Sequence, residues 1–327
     1  MAYSAIITGT GSHLPDKRLT NDDLSKIVET NDAWITQRTG IKERRVARTE
    51  ETTASLASHA ATKALHAAKL ESRDVDLILC ATITPEMVTP STACFVAASL
   101  GLSSTPAMDI SAACSGFVYA LDTATAFIKS GRHKNVLIIG AETLSRITDY
   151  QDRGSCILFG DGAGAAVISR SEEPNTGVLH ASLHADGNGW ELLYCQPGSR
   201  HPLDTVMVAG RQHYLKLRGR EVFKFAVGKF VELVEDACAK CAITREQIKL
   251  VIPHQSNLRI IEAAMDKLGI PIDRAAINIA HYGNTSAASI PIALDEAMRS
   301  GRLNKGDVVV LVAIGAGLTW ANAVIRI

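Results

Sequence analysis

The sequence lacks long apolar runs and an excess of charge of either sign. Its 327 residues include 34 basic and 34 acidic side chains, so the net charge is zero at neutral pH. This balance argues against nucleic acid as the main ligand, although a local basic patch for a small acidic partner stays possible. No stretch approaches the ~18 apolar residues of a membrane span, and no signal peptide is recognisable. We therefore expect a cytoplasmic protein without a membrane span.

Patterned cysteines and phosphate-binding glycine motifs are also missing. The seven cysteines are scattered and odd in number, which indicates reduced thiols. Cys238 and Cys241 form a C-x-x-C, but no second pair completes a zinc site, and the pair closes a predicted helix, whereas a redox pair would open one. The stretches 9–11 and 160–164 lack the Gly-x-Gly-x-x-Gly and P-loop patterns. We expect close strand packing from these glycines.

Apolar strands and amphipathic helices alternate along the chain. Strands are predicted over 5–8, 76–82 and 135–141. A helix is predicted over 53–69, between the first two of these strands. This alternation predicts an α/β architecture, and the length allows one large domain or two fused halves. We also predict an antiparallel pair from 156–159 and 163–169, and a basic loop over 38–48.

The second half of the sequence repeats the first. Val75 and Ile248 lie 173 residues apart in matching contexts, and so do Asp122 and Asp295. Two further pairs of stretches match at similar offsets and in the same order. They are 130–132 with 300–302, and 136–139 with 308–311. We predict a duplicated α/β fold with halves at residues 1–173 and 174–327.

Cys114 lies between a predicted strand, 105–110, and a predicted helix, 117–129. The unpaired N–H groups and the dipole at a helix N-terminus favour negative charge. A thiol there is expected to have a lowered pKa and to act as a nucleophile. Taken alone, the stretch leaves open whether Cys114 is a nucleophile or a buried packing residue.

The duplication places two polar residues at positions that match the Cys114 region. His254 follows the strand equivalent to 77–81, and Asn284 lies in the turn equivalent to that of Cys114. Loops from equivalent strand ends can meet at the axis that relates two similar halves, which would bring the three side chains together. Such a group fits nucleophilic catalysis by a thiolate, with side-chain donors holding a carbonyl oxygen. Singly, His254 and Asn284 would be ordinary structural residues.

Five stretches together resemble the β-ketoacyl-acyl-carrier-protein synthase III family: 109–117, 152–154, 159–166, 253–259 and 283–289. The resemblance extends from the first strand to Trp320. It implies the thiolase fold, a five-layer αβαβα sandwich of two similar halves, and a homodimer. It also implies an acyltransferase that initiates fatty acid biosynthesis.

The implied reaction is a ping-pong Claisen condensation. Cys114 would take an acyl group from acyl-CoA, and malonyl-acyl carrier protein (malonyl-ACP) would then lose CO2 and attack it. His254 and Asn284 would donate hydrogen bonds to the thioester oxygen as enolate charge develops. The backbone N–H groups of Cys114 and Ala316 would form the oxyanion hole. The products are 3-oxoacyl-ACP, CoA and CO2, and no metal or organic cofactor is needed.

Binding residues are also implied, position by position. The residues for CoA are Trp34, Arg38, Arg153, Gly219 and Asn257. Those for the carrier protein are Lys224 and Arg259, and those for the acyl pocket are Thr89, Leu144, Phe159 and Ile314. Without the resemblance, the basic residues would be assigned as solvated surface charges.

Thr89 and Ile314 depart from the pattern, because well-known bacterial members have Phe at both positions. We hypothesise a larger acyl pocket that accepts medium, longer or unusual primers. A degradative thiolase would need a second cysteine in 315–317, an elongating synthase would have His in place of Asn284, and a papain-like hydrolase would carry its own cysteine signature. A condensing or acyltransfer enzyme of a specialised pathway stays open. A non-catalytic scaffold is disfavoured because all three polar site residues are present.

Overall fold

The computed structural model describes residues 3–327. The helices are α1 (Asn21–Ser25), α2 (Asp32–Thr39), α3 (Thr53–Ala68), α4 (Thr92–Ser99), α5 (Gly116–Lys129), α6 (Arg153–Cys156), α7 (Thr205–Ala209), α8 (Gly219–Cys241), α9 (Leu258–Leu268), α10 (Ile279–Tyr282) and α11 (Ser289–Arg299). The strands are β1 (Ser4–His13), β2 (Arg18–Thr20), β3 (Glu43–Arg45), β4 (Leu77–Ala81), β5 (Ala107–Ile110), β6 (Asn135–Thr143), β7 (Asp161–Ser171), β8 (Gly177–Ala185), β9 (Leu193–Tyr194), β10 (Lys216–Leu217), β11 (Ile248–Pro253), β12 (Val308–Gly315) and β13 (Thr319–Arg326).

Two mixed sheets share one topology. The first has the order β1-β7-β6-β4-β5, and the second has the order β8-β13-β12-β11. In the first sheet β4 and β6 are parallel, and β7 is antiparallel to both β6 and β1. In the second sheet β11 and β12 are parallel, and β13 is antiparallel to both β12 and β8. The second sheet therefore repeats four strands of the first in the same order.

Helices α5 and α11 lie between the two sheets. Phe117 and Leu121 of α5, with Ile290 and Leu294 of α11, share one buried cluster with strands of both sheets. Helices α3 and α4 cover the outer face of the first sheet, and α8 and α9 cover the outer face of the second. The result is the five-layer αβαβα sandwich that was predicted.

The glycines of β1 allow α3 to pack against the strand at short distance. A Cβ atom on Gly9 would lie 2.4 Å from the carbonyl oxygen of Ala64, and one on Gly11 would lie 2.5 Å from that of Ala60. Real Cβ atoms do not approach backbone this closely, so the helix would have to move away from the sheet.

Two local predictions are wrong. No strand forms over 156–159, where one was predicted: Cys156 ends α6, and β7, which contains the predicted strand 163–169, pairs with β1 and β6. The predicted basic loop over 38–48 contains β3, which pairs with β2, and the side chain of Arg44 is completely buried. Arg44 is tolerated inside because its guanidinium donates to the carbonyls of Leu19 and Ile157 and to Oδ1 of Asn21.

Three further observations concern the ends and connections of elements. Residues 172–176 connect β7 to β8, so the predicted boundary between residues 173 and 174 falls between strands of different sheets. Cys238 and Cys241 lie in the last turns of α8 as free thiols. Within residues 3–327, no helix has the length and apolar character needed to cross a bilayer.

Candidate active site

Cys114 lies in a tight turn between β5 and α5. Residues Ala113–Ser115 form a short 3-10 helix, and Ala113 has a left-handed φ of 47°. The turn packs close to β4, because a Cβ atom on Gly116 would lie 2.9 Å from the Cβ of Ala81. The same turn recurs before α11, where Ser286 has a φ of 48°, and the two turns contact each other. This contact brings the polar residues of the second half to Cys114.

Cys114, His254 and Asn284 line one cavity of about 530 Å³. Its wall also contains Ile314 and Phe159. A second cavity, of about 280 Å³, is also lined by Cys114. Cys114 therefore lines two cavities, and Phe159 lines both as well.

Hydrogen bonds orient the His254 ring. Nδ1 lies 2.7 Å from Oγ of Ser289, and this oxygen also accepts the backbone N–H of Gln255 at 3.3 Å. The Ser289 hydroxyl has no other acceptor among the described residues, so it donates to Nδ1 and the ring proton is on Nε2. Burial lowers the pKa of His254 to about 3. The ring is thus neutral at physiological pH and donates through Nε2.

The Asn284 amide is oriented in the same way. Its Oδ1 accepts the backbone N–H of Ser286 at 2.9 Å, and an N–H group can only donate, so the oxygen position is fixed. The amide Nδ2 is left as a donor. The backbone of Asn284 is held by Leu158 at 2.8 Å and by Gly160 at 3.0 Å. Two neutral donors on one cavity can stabilise negative charge that develops on a substrate oxygen.

The Cys114 thiol does not have the lowered pKa that was predicted. Burial raises its pKa to about 12, with the nearby Ser286 hydroxyl lowering it and the charge of Glu142 raising it. The side chain is only 7% exposed, so the loss of water outweighs the favourable helix N-terminus. The thiol is therefore protonated at neutral pH.

The glycine-rich turn after β12 lies against the cysteine turn. A Cβ atom on Gly315 would lie only 2.8 Å from the backbone nitrogen of Cys114. Thr319 Oγ1 lies 3.0 Å from the carbonyl oxygen of Ala112 and 3.1 Å from that of Ala316, which joins the two turns. Ala316 and Cys114, the two residues predicted to form the oxyanion hole, both line the second cavity. The roles of Ser289 and Thr319 depend on these long-range contacts and were not predicted.

The residues expected to bind CoA cluster at the mouth of the larger cavity. The guanidinium carbons of Arg38 and Arg153 lie 4.8 and 5.0 Å from the centre of the Trp34 ring. Asn257 caps α9 and donates to the carbonyl of Arg38 at 3.1 Å. The cavity is lined by Trp34, Arg38, Gly219 and Asn257. Arg153 does not line it, but it lies over the Trp34 ring and is next in sequence to Gly154, which does. A planar base and phosphates match this aromatic and basic set.

Of the remaining predicted residues, some line a cavity and others lie outside both cavities. Arg259 lines the larger cavity, and Lys224 is exposed on α8 outside both cavities. Leu144 and Phe159 line the second cavity, and Ile314 lines the larger one. The structure does not place Thr89 at either cavity, because it is exposed on the connection before α4. The second cavity has other walls that were not predicted, namely Ile83, Leu193, Tyr194, Cys195, Pro197 and Leu215.

Comparisons with known proteins identify the family. Residues 108–187 match the family model of 3-oxoacyl-[acyl-carrier-protein] synthase III, and residues 238–327 match the model of its C-terminal part. A beta-ketoacyl-[acyl-carrier-protein] synthase III of Caldanaerobacter subterraneus is 51% identical, with 99% of this chain and 98% of the relative covered.

Solved structures show the same likeness. A 3-oxoacyl-[acyl-carrier-protein] synthase III of Aquifex aeolicus superposes with a TM-score of 0.92 at 49% identity, with 99% of this chain and 100% of that chain covered. The priming beta-ketosynthase of the R1128 polyketide biosynthetic pathway has a TM-score of 0.92 at 31% identity, with 100% of this chain and 97% of that chain covered.

Proposed function

Because this chain belongs to the 3-oxoacyl-[acyl-carrier-protein] synthase III family, we propose that Cys114, His254 and Asn284 carry out its decarboxylative condensation. The protein is an acyltransferase of fatty acid biosynthesis with the thiolase fold. The observation that supports these roles best is a buried thiol that lines two cavities, one of which is also lined by two neutral donors. Cys114 comes from the proposed half 1–173, whereas His254 and Asn284 come from 174–327.

In the first half-reaction, the acyl-CoA lies in the larger cavity with its base near Trp34. The Cys114 sulfur attacks the thioester carbonyl, and the N–H groups of Cys114 and Ala316 hold the resulting oxyanion. The bond to CoA then breaks, and the acyl group stays on Cys114 with its chain in the second cavity.

In the second half-reaction, malonyl-ACP replaces CoA in the larger cavity. Loss of CO2 leaves an enolate whose oxygen accepts hydrogen bonds from Nε2 of His254 and Nδ2 of Asn284. These donors are set before the substrate arrives, so little reorganisation is needed when the charge develops. The carbanion attacks acyl-Cys114, and 3-oxoacyl-ACP leaves. We propose no metal or organic cofactor, because these N–H donors supply the charge stabilisation that the reaction needs.

Access of the carrier protein is proposed at the mouth of the larger cavity. Arg259 lines the cavity, and Lys224 is exposed on α8. These cations suit an acidic carrier protein whose phosphopantetheine arm reaches inward past Gly219 and Asn257.

The size of the second cavity supports a primer longer than acetyl. Its volume is about 280 Å³, and most of its walls are apolar. An acetyl group would leave much of this space unfilled, whereas a medium-length chain would bury its methylenes there at about 0.8 kcal/mol each. A strict preference for acetyl-CoA across a panel of primers would contradict this specificity.

We propose that the protein forms a homodimer through β5. This strand is at the edge of the first sheet, and within residues 3–327 it pairs only with β4. Met108 on β5 is 42% exposed, and Met87 and Val88 on the adjoining connection are also exposed. An open edge strand beside apolar side chains is suited to pairing with a second copy.

We also propose that the protein works in the cytoplasm. Its seven cysteines are free thiols, which suits a reducing compartment.

A condensation assay tests the proposed function. Purified protein is mixed with acyl-CoA primers and malonyl-ACP, and release of CO2 and 3-oxoacyl-ACP is followed. The expected result is product with wild type and none with Cys114→Ala. Absence of product with every primer and with both proteins would contradict the proposal.

A second candidate function is priming of a specialised pathway by the same chemistry. It is favoured by the 31% identity to a priming ketosynthase over the whole chain. The panel of primers separates the two, because an unusual primer used in preference to all common acyl-CoAs would support the specialised pathway.

A further inference from the structure

The proton of the Cys114 thiol needs an acceptor near the site. His254 and Asn284 present donors to the cavity, so neither is arranged to take this proton. Neither cavity is lined by an aspartate or a glutamate. Among the described residues, the charged group that acts on the thiol is the carboxylate of Glu142, which lines neither cavity.

Glu142 is a buried carboxylate near the end of β6, with 0% exposure. Its Oε2 accepts hydrogen bonds from Thr82, Ile83 and Thr84, the shortest from the Thr84 hydroxyl at 2.6 Å. Its Oε1 receives a single long hydrogen bond, from the Ile83 N–H at 3.3 Å. No basic side chain forms an ion pair with it among residues 3–327. Oε1 therefore has room for a proton.

Ser286 belongs to the turn over 286–288, which packs on β6, where Glu142 lies, and on the turn that carries Cys114. Its side chain is 2% exposed, and its hydroxyl has no hydrogen-bond partner among the described residues. It lines the second cavity with Cys114, and the nearby hydroxyl lowers the pKa of both Cys114 and Glu142. The turn itself does not require a hydroxyl, because Ala113 makes the same left-handed turn in the first half.

We propose that Glu142, acting through the Ser286 hydroxyl, stores the proton of Cys114 between the two half-reactions. The inference rests on the acyl transfer proposed above. As the sulfur attacks the acyl-CoA carbonyl, its proton passes to Ser286 Oγ, and the serine's own proton passes to the Glu142 carboxylate. CoA leaves as a thiolate and takes a proton from water. When the enolate attacks acyl-Cys114, the departing thiolate regains its proton by the reverse path.

The acidity of Glu142 supports this role. Burial raises its pKa to about 7, so the carboxyl can accept and return a proton near neutral pH. The titratable groups that face it are Cys114 and, on β4, Cys80; Asp161 lies at the neighbouring ladder position on β7. Glu142 does not touch substrate in this scheme and is a positioning residue.

The pH dependence of Cys114 alkylation by iodoacetamide tests the proposal in the full-length protein. A thiol and a carboxyl that share a proton titrate in two steps. We expect wild type to show a first rise near the pKa of Glu142 and a second in strong alkali. Glu142→Gln and Ser286→Ala are each expected to lose the first rise. At neutral pH, acylation by acyl-CoA should slow by about 100-fold or more in each, and the double variant should be no slower.

Several outcomes would overturn the relay. Identical alkylation profiles in wild type and both variants would do so, and so would slower acylation with an unchanged profile, since that indicates a structural role. Return of the first rise in Glu142→Asp supports it. Ser58→Ala, which removes a buried hydroxyl from α3, controls for packing. If acyl-CoA labels no protein, wild type included, the proposed function fails, while the alkylation profile still decides the relay.

Discussion

Acidification should destabilise the protein through His254, because the buried ring cannot hold a proton in the folded state. Its pKa is lowered from 6.5 to about 3 by burial. Between these two values the unfolded chain binds a proton on this ring and the folded chain does not. The free energy of unfolding therefore falls as the pH drops below 6.5, and the loss is complete near pH 3.

The magnitude follows from the size of the pKa difference. Each pH unit below the unfolded pKa costs about 1.4 kcal/mol, so moving from about pH 7.5 to about pH 5 costs roughly 2 kcal/mol through this one residue. This is a large share of the about 5–15 kcal/mol that stabilises a typical native protein.

Urea unfolding of wild type and His254→Gln at both pH values measures this term. Other groups titrate in both proteins, so the useful quantity is the difference between their losses. Wild type should lose about 2 kcal/mol more than the variant. His66→Gln, on the exposed face of α3, controls for removal of one imidazole from the unfolded chain. Equal losses in wild type and His254→Gln would refute the reasoning.

Three further outcomes are expected. Ser289→Ala leaves Nδ1 of His254 without its donor, so the rate of condensation should fall about 10- to 100-fold while acylation by acyl-CoA is unchanged, as measured in separate half-reactions. Trp34→Ala removes the surface for a base, so KM for acyl-CoA should rise about 10-fold or more with kcat little changed; a fall in kcat alone would contradict this. Gly140→Ala would place Cβ 2.2 Å from the carbonyl oxygen of Ala287, so thermal unfolding should report a loss of about 1–3 kcal/mol, and an unchanged midpoint would contradict it.

The sequence was sufficient to predict the architecture and the convergence of Cys114, His254 and Asn284 on one cavity, because a duplicated pattern constrains positions far apart. The turns that begin at Ala113 and Ser286 lie at the predicted spacing of 173 residues and have nearly the same φ. Once Cys114 is assigned to one turn, the spacing points to the turn over 284–289, whose first residue is Asn284, and strand order points to His254.

The supporting residues could not be predicted, because their partners are distant in the chain. Glu142 accepts all its hydrogen bonds from residues 82–84, about 60 positions earlier. Arg44 was placed in a basic loop, whereas the carbonyl acceptors around it allow it to be a buried residue. A single charged residue inside an apolar strand was the available signal for Glu142. The pKa of Cys114 was predicted in the wrong direction because burial, which the sequence does not show, outweighs the helix dipole.

Intact-mass measurement after exposure to acyl-CoA, followed by peptide mapping, tests the central claim most directly. The proposed mechanism predicts the mass of one acyl group per chain, located on Cys114, absent from Cys114→Ala and removed by malonyl-ACP. Cys195 lines the second cavity together with Cys114, so its acylation can be compared with that of Cys114 in the same protein. Stable acylation of Cys195 in place of Cys114, or equal labelling of Cys114→Ala, would contradict the assignment of Cys114 as the nucleophile.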